Sequence, residues 1–398
     1  MSDWVQGTLG DLITLQRGFD ITKAAQSEGP YPVVSSGGIA SFHDQFMAKG
    51  PGVVIGRKGT LGTAFFIPED YWPHDTTLWV KDFKRNDEKF IYYLLKSIPL
   101  ERLDSGSANP TLNRNYAHLL KVAAPRPAVQ EKISAVLSTL DAKIDVNNRI
   151  NAELEALAKT IYDYWFVQFD FPDANGRPYK SSGGPMVWND TLKREIPAGW
   201  EVRTLGTIIS RAGTGLNPRD HFVLGKGNNY YVTIKNVTNG RIFLDDKCDR
   251  IDDEAMAVID RRSQLRAGDV LFTSIEPVGV TYLIQEKPTN WNINESVFTI
   301  RPDTDMVSSE YLLMLLSSSE MKVFTRNSSA GSIHKGIRHS VLKSFALAYP
   351  GRRLVDEFSS LLRPMLQKTD NLDKQNRELT RLRDWLLPLL MNGQVRVS

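Results

Sequence analysis

"PRPAVQEKISAVLSTLDAKIDVNNRINAEL" at residues 125–154 returns, diverged, as "PGRRLVDEFSSLLRPMLQKTDNLDKQNREL" at residues 350–379. Pro125 falls on Pro350, Ile133 on Phe358, Leu137 on Leu362 and Asn151 on Asn376, an ungapped offset of 225. Identity is low, but apolar residues face apolar residues throughout. Steps of four and three trace one seam through Ile133, Leu137, Leu140, Ile144, Asn147, Asn151, Leu154, Ala158 and Ile161. The second copy gives Phe358, Leu362, Met365, Thr369, Leu372, Asn376, Leu379, Arg383, Leu386 and Leu390. This is an a/d pattern over about four heptads, with polar interruptions of the kind that fix register at a cost in stability. Two copies of one half-buried helix can cover each other's stripe around a local twofold axis. The alternative is two amphipathic helices, each packed on its own domain.

The repeat reaches beyond the helix. "WVQGTLGDLI" at Trp4–Ile13 matches "WEVRTLGTII" at Trp200–Ile209. "GVVIGRKGTLGTAFFI" from Gly52 resembles "GDVLFTSIEPVGVTYLI" from Gly268, and "EKFIYYLLKS" from Glu88 resembles "SEYLLMLLSS" from Ser309. Order is preserved, so the chain reads as globular unit, helix, globular unit, helix: a twofold duplication, too long in period for a solenoid. Runs such as "GVVIG", "TLWVKDF", "DVLFTSI" and "SVFTIRP" have the β-branched and aromatic content of strands. The expected fold class is mixed α/β, β-rich. Two globular domains at 1–125 and 195–350 are joined by long helices at 126–168 and 351–398 that form an antiparallel coiled coil. Residues 169–194, rich in Pro, Gly, Ser, Asn and Asp, read as a linker. At 1.5 Å per residue, roughly 35 residues make a rod of about 50 Å. That is on the order of one to one and a half turns of B-DNA.

With 398 residues the chain is long enough for two or three domains with cores. No apolar run approaches the ~18 residues of a membrane span, and "MSDWVQGTLG" lacks the pattern of a signal peptide. Cytoplasm is the expected location. The single cysteine, Cys248, excludes an internal disulfide and a cysteine-based zinc site. A net charge of +3 announces no nucleic-acid partner, but residues 321–355 contain no acid and seven Lys or Arg. There is no G-x-x-x-x-G-K-[ST], no N-P-P-[FY] and no H-E-x-x-H. No catalytic residue, metal ligand or cofactor is therefore assigned.

In this order of elements, and in "GVVIGRKGTLGTAFF", "WPHDTTLWV", "YVTIKNV", "WFVQFDFP" and "LRDWLLPLLMNGQV", the whole chain resembles the specificity subunits of type I restriction–modification systems. The resemblance implies that each globular domain is a target-recognition domain reading one half of a split sequence in double-stranded DNA. It also implies that the paired helices measure the unread gap. The partners so implied are two methyltransferase subunits and restriction (translocase) subunits, which bind S-adenosylmethionine, ATP and Mg²⁺ while this chain binds none.

Base edges are read by Arg, Asn, Gln, Ser and Thr, and phosphates are held by Lys, Arg, hydroxyls and loop N–H groups. Candidates in the first domain are Ser35, Ser36, Arg57, Lys58, Thr60, His74, Thr76, Asn109, Asn113, Arg114 and Asn115. In the second they are Arg211, Asn217, Arg219, Lys235, Asn236, Thr273, Ser274, Ser332, His334, Lys335 and Arg338. "GRKGT" in one copy is "TSIEP" in the other, so the two readers differ and the target is expected to be asymmetric. The aromatic run Tyr162, Tyr164, Trp165, Phe166, Phe169 and Phe171, like Trp385, reads either as core or as a docking surface for a methyltransferase. Two competing functions are a coiled-coil scaffold spacing two protein-binding domains without DNA, and a nuclease with an unrecognised site.

Overall fold

The computed structural model describes residues 4–103, 111–219, 221–328 and 336–397. The chain forms two compact units, one of residues 1–148 and 373–398, the other of residues 149–372. Each long helix contributes to both.

The first unit contains, in order, β1 (Trp4–Thr8), α1 (Leu9–Leu12), β2 (Thr14–Arg17), β3 (Tyr31–Ser35), β4 (Gly38–His43), β5 (Gly52–Gly56), β6 (Ala64–Ile67), β7 (Trp72–Pro73), β8 (Thr77–Asp82), α2 (Glu88–Ser97), α3 (Arg114–His118) and β9 (Lys121–Pro125). The first 22 residues of α4 (Pro127–Tyr162) follow. Sheet orders are β2-β8-β5-β6, β4-β3-β7 and β1-β9. β5 is central and fully covered, which is why it reads as the unbroken apolar run Val53-Val54-Ile55. Asp87 caps α2 by accepting from the Phe90 N–H at 2.7 Å. Pro127 opens α4 at the position where a missing N–H costs nothing.

The second unit repeats this plan. It holds β10 (Met186–Asn189), β11 (Arg194–Pro197), β12 (Glu201–Thr204), β13 (Ile209–Thr214), β14 (Asn229–Val232), β15 (Val237–Thr238), β16 (Arg241–Ile242), β17 (Asp249–Ile251), α5 (Asp253–Ser263), β18 (Val270–Thr273), β19 (Thr281–Leu283), β20 (Trp291–Ile293), β21 (Val297–Pro302), α6 (Ser309–Ser317), α7 (Ser319–Ser328), α8 (His339–Lys343), β22 (Ala346–Tyr349) and the start of α9 (Arg352–Met391). Sheets β13-β21-β18-β19, β17-β14-β20 and β12-β22 reproduce the three of the first unit, parallel pairs β3–β7 and β14–β20 included. The hairpin turns after β5 and β18 both depend on a glycine with positive φ, Gly62 at +73° and Gly279 at +89°. The duplication is thus a duplication of topology. The hairpins β10–β11 and β15–β16 and the helices α5 and α7 have no counterpart among the described residues of the first unit.

Within each unit the two long helices run antiparallel. In the first, Asp141 on α4 pairs with Arg383 on α9 at 2.8 Å, while six residues later Asn147 Nδ2 donates to Gln375 and Asn376 at 2.7 and 2.8 Å. Asn376 Nδ2 donates to Asn148 at 2.9 Å. In the second, Phe358 of α9 packs against Tyr162 of α4. The expected seam is the buried one: Ile133, Leu137, Asn147, Asn151 and Ala158 are at most 3% exposed. Each core is closed by a helix end from the other copy. Leu390 and Met391 join Ile133 and Leu137 in the first, and Tyr162, Trp165 and Phe166 join Phe358 in the second.

Of the aromatic run, Tyr162, Trp165, Phe166, Phe169 and Phe171 are core, and Tyr164 is outside it. The segment 169–194 is pinned down. Phe171 stacks between Tyr179 and Trp200, Arg194 lies over Phe169 at 4.4 Å, and Asp170 accepts from Ser181 Oγ at 2.6 Å. No helix among the described residues is long and apolar enough to cross a membrane.

Asn147 is fully buried, and its Oδ1 has no partner. Asn147→Leu is expected to hold or raise the urea midpoint of the first unit, since Gln375 and Asn376 can turn to water and leucine lengthens the apolar seam. A loss above about 1 kcal/mol, the worth of an ordinary hydrogen bond, would show that the asparagine holds the helices together rather than setting their register.

Candidate nucleic-acid interface

In the first unit the end of β2, the β3–β4 turn, the end of β5 and the β7–β8 turn converge. Thr76 is the junction. Its carbonyl accepts from the Arg57 and Lys58 N–H groups at 2.9 and 3.0 Å. Its hydroxyl lies 2.9 Å from His74 Nδ1 and accepts from the Ser36 N–H at 3.3 Å. Ser35 Oγ closes the β3–β4 turn on the Gly38 carbonyl at 3.1 Å. Thr60 shares the hairpin turn, where its carbonyl oxygen would lie 1.8 Å from a Cβ at position 56, so only glycine fits there. Leu112 N–H donates to the Arg57 carbonyl at 3.0 Å and brings in Asn113, which caps α3 by accepting from the Asn115 N–H at 2.9 Å. Arg114 and Asn115 are exposed on that helix.

Two residues that the sequence reading did not single out organise this place. Asp75 accepts from Arg17 NH2 at 2.8 Å and lies 3.8 Å from Lys58 Nζ. Burial raises its pKa, but the Arg17 hydrogen bond and the charges of His74, Lys58 and Arg17 outweigh that and hold the carboxyl below the usual range. The Arg57 guanidinium is lowered by burial and by Arg17. Arg17, Arg57 and Lys58 outnumber the two carboxylates here, Asp75 and Asp20, and leave net positive charge, with the side chains of Arg17 and Lys58 54% and 47% exposed. Asp20, His74 and Asp75 place donor atoms within 4.8 Å of one another. With Asp75 already bonded to Arg17, the local field favours an anion over a metal cation. No local pattern marks Arg17: it joins the group only through the β2–β8 register that sets it opposite Leu78.

The second unit has the same frame with other side chains. His74 N–H donates to Val34 and Asn294 N–H to Val232, both at 2.9 Å. Thr76 N–H donates to His74 Nδ1 at 3.3 Å and Ser296 N–H to Asn294 Oδ1 at 3.1 Å. Arg57 N–H meets the Thr76 carbonyl, and Ser274 N–H meets that of Ser296 at 2.9 Å. Ser274 therefore stands where Arg57 does, and Ile275 where Lys58 does. Thr273 and Ser274, expected at the surface, are only 0% and 5% exposed. Thr273 Oγ1 donates to the Pro277 carbonyl at 2.5 Å, and Ser274 Oγ to that of Ser296 at 2.9 Å. They shape the hairpin and offer nothing to a groove, because a tight turn folds its own hydroxyls inward.

Asn217 Nδ2 donates to Glu295 at 2.7 Å, and Arg211 NH2 to the Arg262 carbonyl at 2.6 Å. Asn236 is turned onto Thr233, accepting its N–H at 2.9 Å. Arg219, Lys235 and Arg338 are exposed. Asn109, Ser332, His334 and Lys335 lie outside the described residues.

Residues 1–156 match the family model of the type I restriction modification DNA specificity domain. This chain carries a type I specificity domain. The matched region takes in the whole basic site of the first unit and ends inside α4. The MjaIX specificity subunit of Methanocaldococcus jannaschii is 26% identical over 316 residues, spanning 78% of this chain and 69% of that protein. The HindI specificity subunit of Haemophilus influenzae is 22% identical over 337 residues, 72% of this chain and 71% of that protein. The crystal structure of a type I system S subunit from M. genitalium shares the fold, with a TM-score of 0.63 at 16% identity over 98% of this chain and 96% of that one. The resemblance to specificity subunits read from the sequence is thereby upheld.

Proposed function

We propose that this chain is the DNA-reading subunit of a type I complex and supplies recognition without chemistry. Each recognition domain, 1–125 and 195–350, reads one half of a split, asymmetric duplex target. The paired helices set the gap and dock methyltransferase subunits, two in number, with restriction subunits beyond them. Leu382 and Trp385, 43% and 61% exposed on α9, are the apolar surface offered for that docking. The observation that carries the reading is one backbone frame holding two different sets of side chains. Arg57, Lys58 and His74 in the first unit are replaced by Ser274, Ile275 and Asn294 in the second. A scaffold would have no use for a preserved turn whose side chains have changed so far in charge and hydrogen-bonding character.

Titration of fluorescent duplex with the chain in its methyltransferase complex, over a range of salt, tests this. Affinity should fall steeply with salt, and Lys58→Ala should reduce the slope of log K against log[salt] by about 0.9, one released counterion. A flat response would favour the protein scaffold. Methylation sequencing of a host expressing the complex should return one split motif, and two unrelated contiguous motifs would overturn the spacer role.

A further inference from the structure

A guanidinium stands beside the end of the corresponding strand in both units, although the chain supplies it from different elements. In the first unit it is Arg17, the last residue of β2, opposite Leu78 of β8, which in turn faces Ile55 of β5. The corresponding residue of the second unit is Thr214, the last of β13, opposite Phe298 of β21, which faces Phe272 of β18. Threonine cannot reach outward as arginine does. Instead Arg262, from α5, lays its Nε 3.2 Å from the Thr214 hydroxyl. The first unit has a loop, not a helix, between β4 and β5 where the second carries α5. The same chemical group beside the same strand end has therefore not come from copying a residue.

Both guanidinium groups are held without being covered. Arg17 is tethered through one nitrogen to Asp75 and its side chain is 54% exposed. Arg262 is exposed, tethered through Nε, and its carbonyl is held by Arg211 NH2 at 2.6 Å. Arg17 also lies beside Arg57, whose guanidinium it helps to lower. A guanidinium carries five N–H donors in one plane, so one tether leaves a free fork. That fork matches guanine O6 and N7 in the major groove. A strand end, or a helix locked onto one, holds it more firmly than a loop tip would.

We infer that Arg17 and Arg262 are specificity-determining residues, each reading a guanine in its own unit's half of the target. The inference rests on the DNA-reading function proposed above. The test is methylation sequencing of a host expressing the full chain with its methyltransferase subunit. Wild type should give a split motif. R17A should relax one G·C position of one half to any base and leave the other half intact, and R262A should do the reverse. R17K and R262K keep the charge but lose the fork, and should relax the same positions. With duplexes built on the wild-type motif and the purified complex, discrimination at that base pair should fall roughly 5- to 150-fold. An unchanged motif in the alanine and lysine variants overturns the inference. So does equal weakening on all sequences with a salt slope reduced by about one, the mark of a phosphate contact. Absence of any split motif with the wild-type chain sinks the function itself, and the inference with it.

Discussion

Phe358→Ala should lower the unfolding free energy of the second unit by about 3–5 kcal/mol, the range for an aromatic ring removed from a packed core. Phe358 is completely buried. Its ring meets Phe166 at 4.9 Å, Trp165 at 5.7 Å, Tyr162 at 6.0 Å and Tyr311 at 6.3 Å, two of these contacts near-perpendicular. The cavity cannot easily collapse, because its walls are large rings on the last residue of α4, the π-helical turn 163–167 that follows it, and α6, fixed by their own backbones. The geometry of the pairs adds to the area lost. Urea unfolding followed by amide exchange checks both size and place: protection should fall in α6 and the adjoining halves of α4 and α9. A loss below about 1 kcal/mol would mean that the helix ends rest on the second core rather than complete it.

Asp269→Ala should cost a similar amount, about 3–5 kcal/mol, for an electrostatic reason. Asp269 is 0% exposed. It accepts from Arg301 Nε at 2.7 Å and NH2 at 2.8 Å, a fork-on-carboxylate pair, and from the Arg266 N–H at 2.9 Å. The Asp269 hydrogen bond holds the Arg301 pKa above its ordinary value against burial. With the carboxylate removed that support is lost, yet the guanidinium stays charged because arginine does not deprotonate near neutral pH. A cation with an 18% exposed side chain is then left without its partner. Asp269→Leu combined with Arg301→Met should recover most of the loss, since both charges leave together. If the single and double variants melt alike, the pair is passive and packing accounts for the effect.

What the sequence disclosed follows the range of the forces involved. The long helices are written locally. Apolar residues at steps of three and four form a stripe wherever the chain goes, and Pro125 and Pro350 mark where it starts. The duplication was legible because Trp4 and Trp200, or Gly62 and Gly279, answer to the same backbone demand twice. The segment 169–194 reads as a linker by its Gly, Pro and Ser, but Phe169, Phe171 and Arg194 anchor it, and a few stacked rings outweigh composition. Arg17 escaped notice because its place depends on a strand register set by residues about sixty positions away. Thr273 and Ser274 misled because a hydroxyl in a turn can satisfy a carbonyl as readily as it can face solvent. Alignment is also not contact in an antiparallel pair: Asn376 corresponds to Asn151 by repeat, yet it exchanges hydrogen bonds with Asn147 and Asn148.

The crossing of the helix ends has a consequence for synthesis. The second unit is one continuous stretch, 149–372, and can close as soon as that stretch has left the ribosome. The first begins earlier but must wait for residues 373–398, holding an open apolar face while the whole of its sibling is translated and folded. The half made first is the half finished last, and a pause or truncation late in translation should injure the reader encoded at the front of the message.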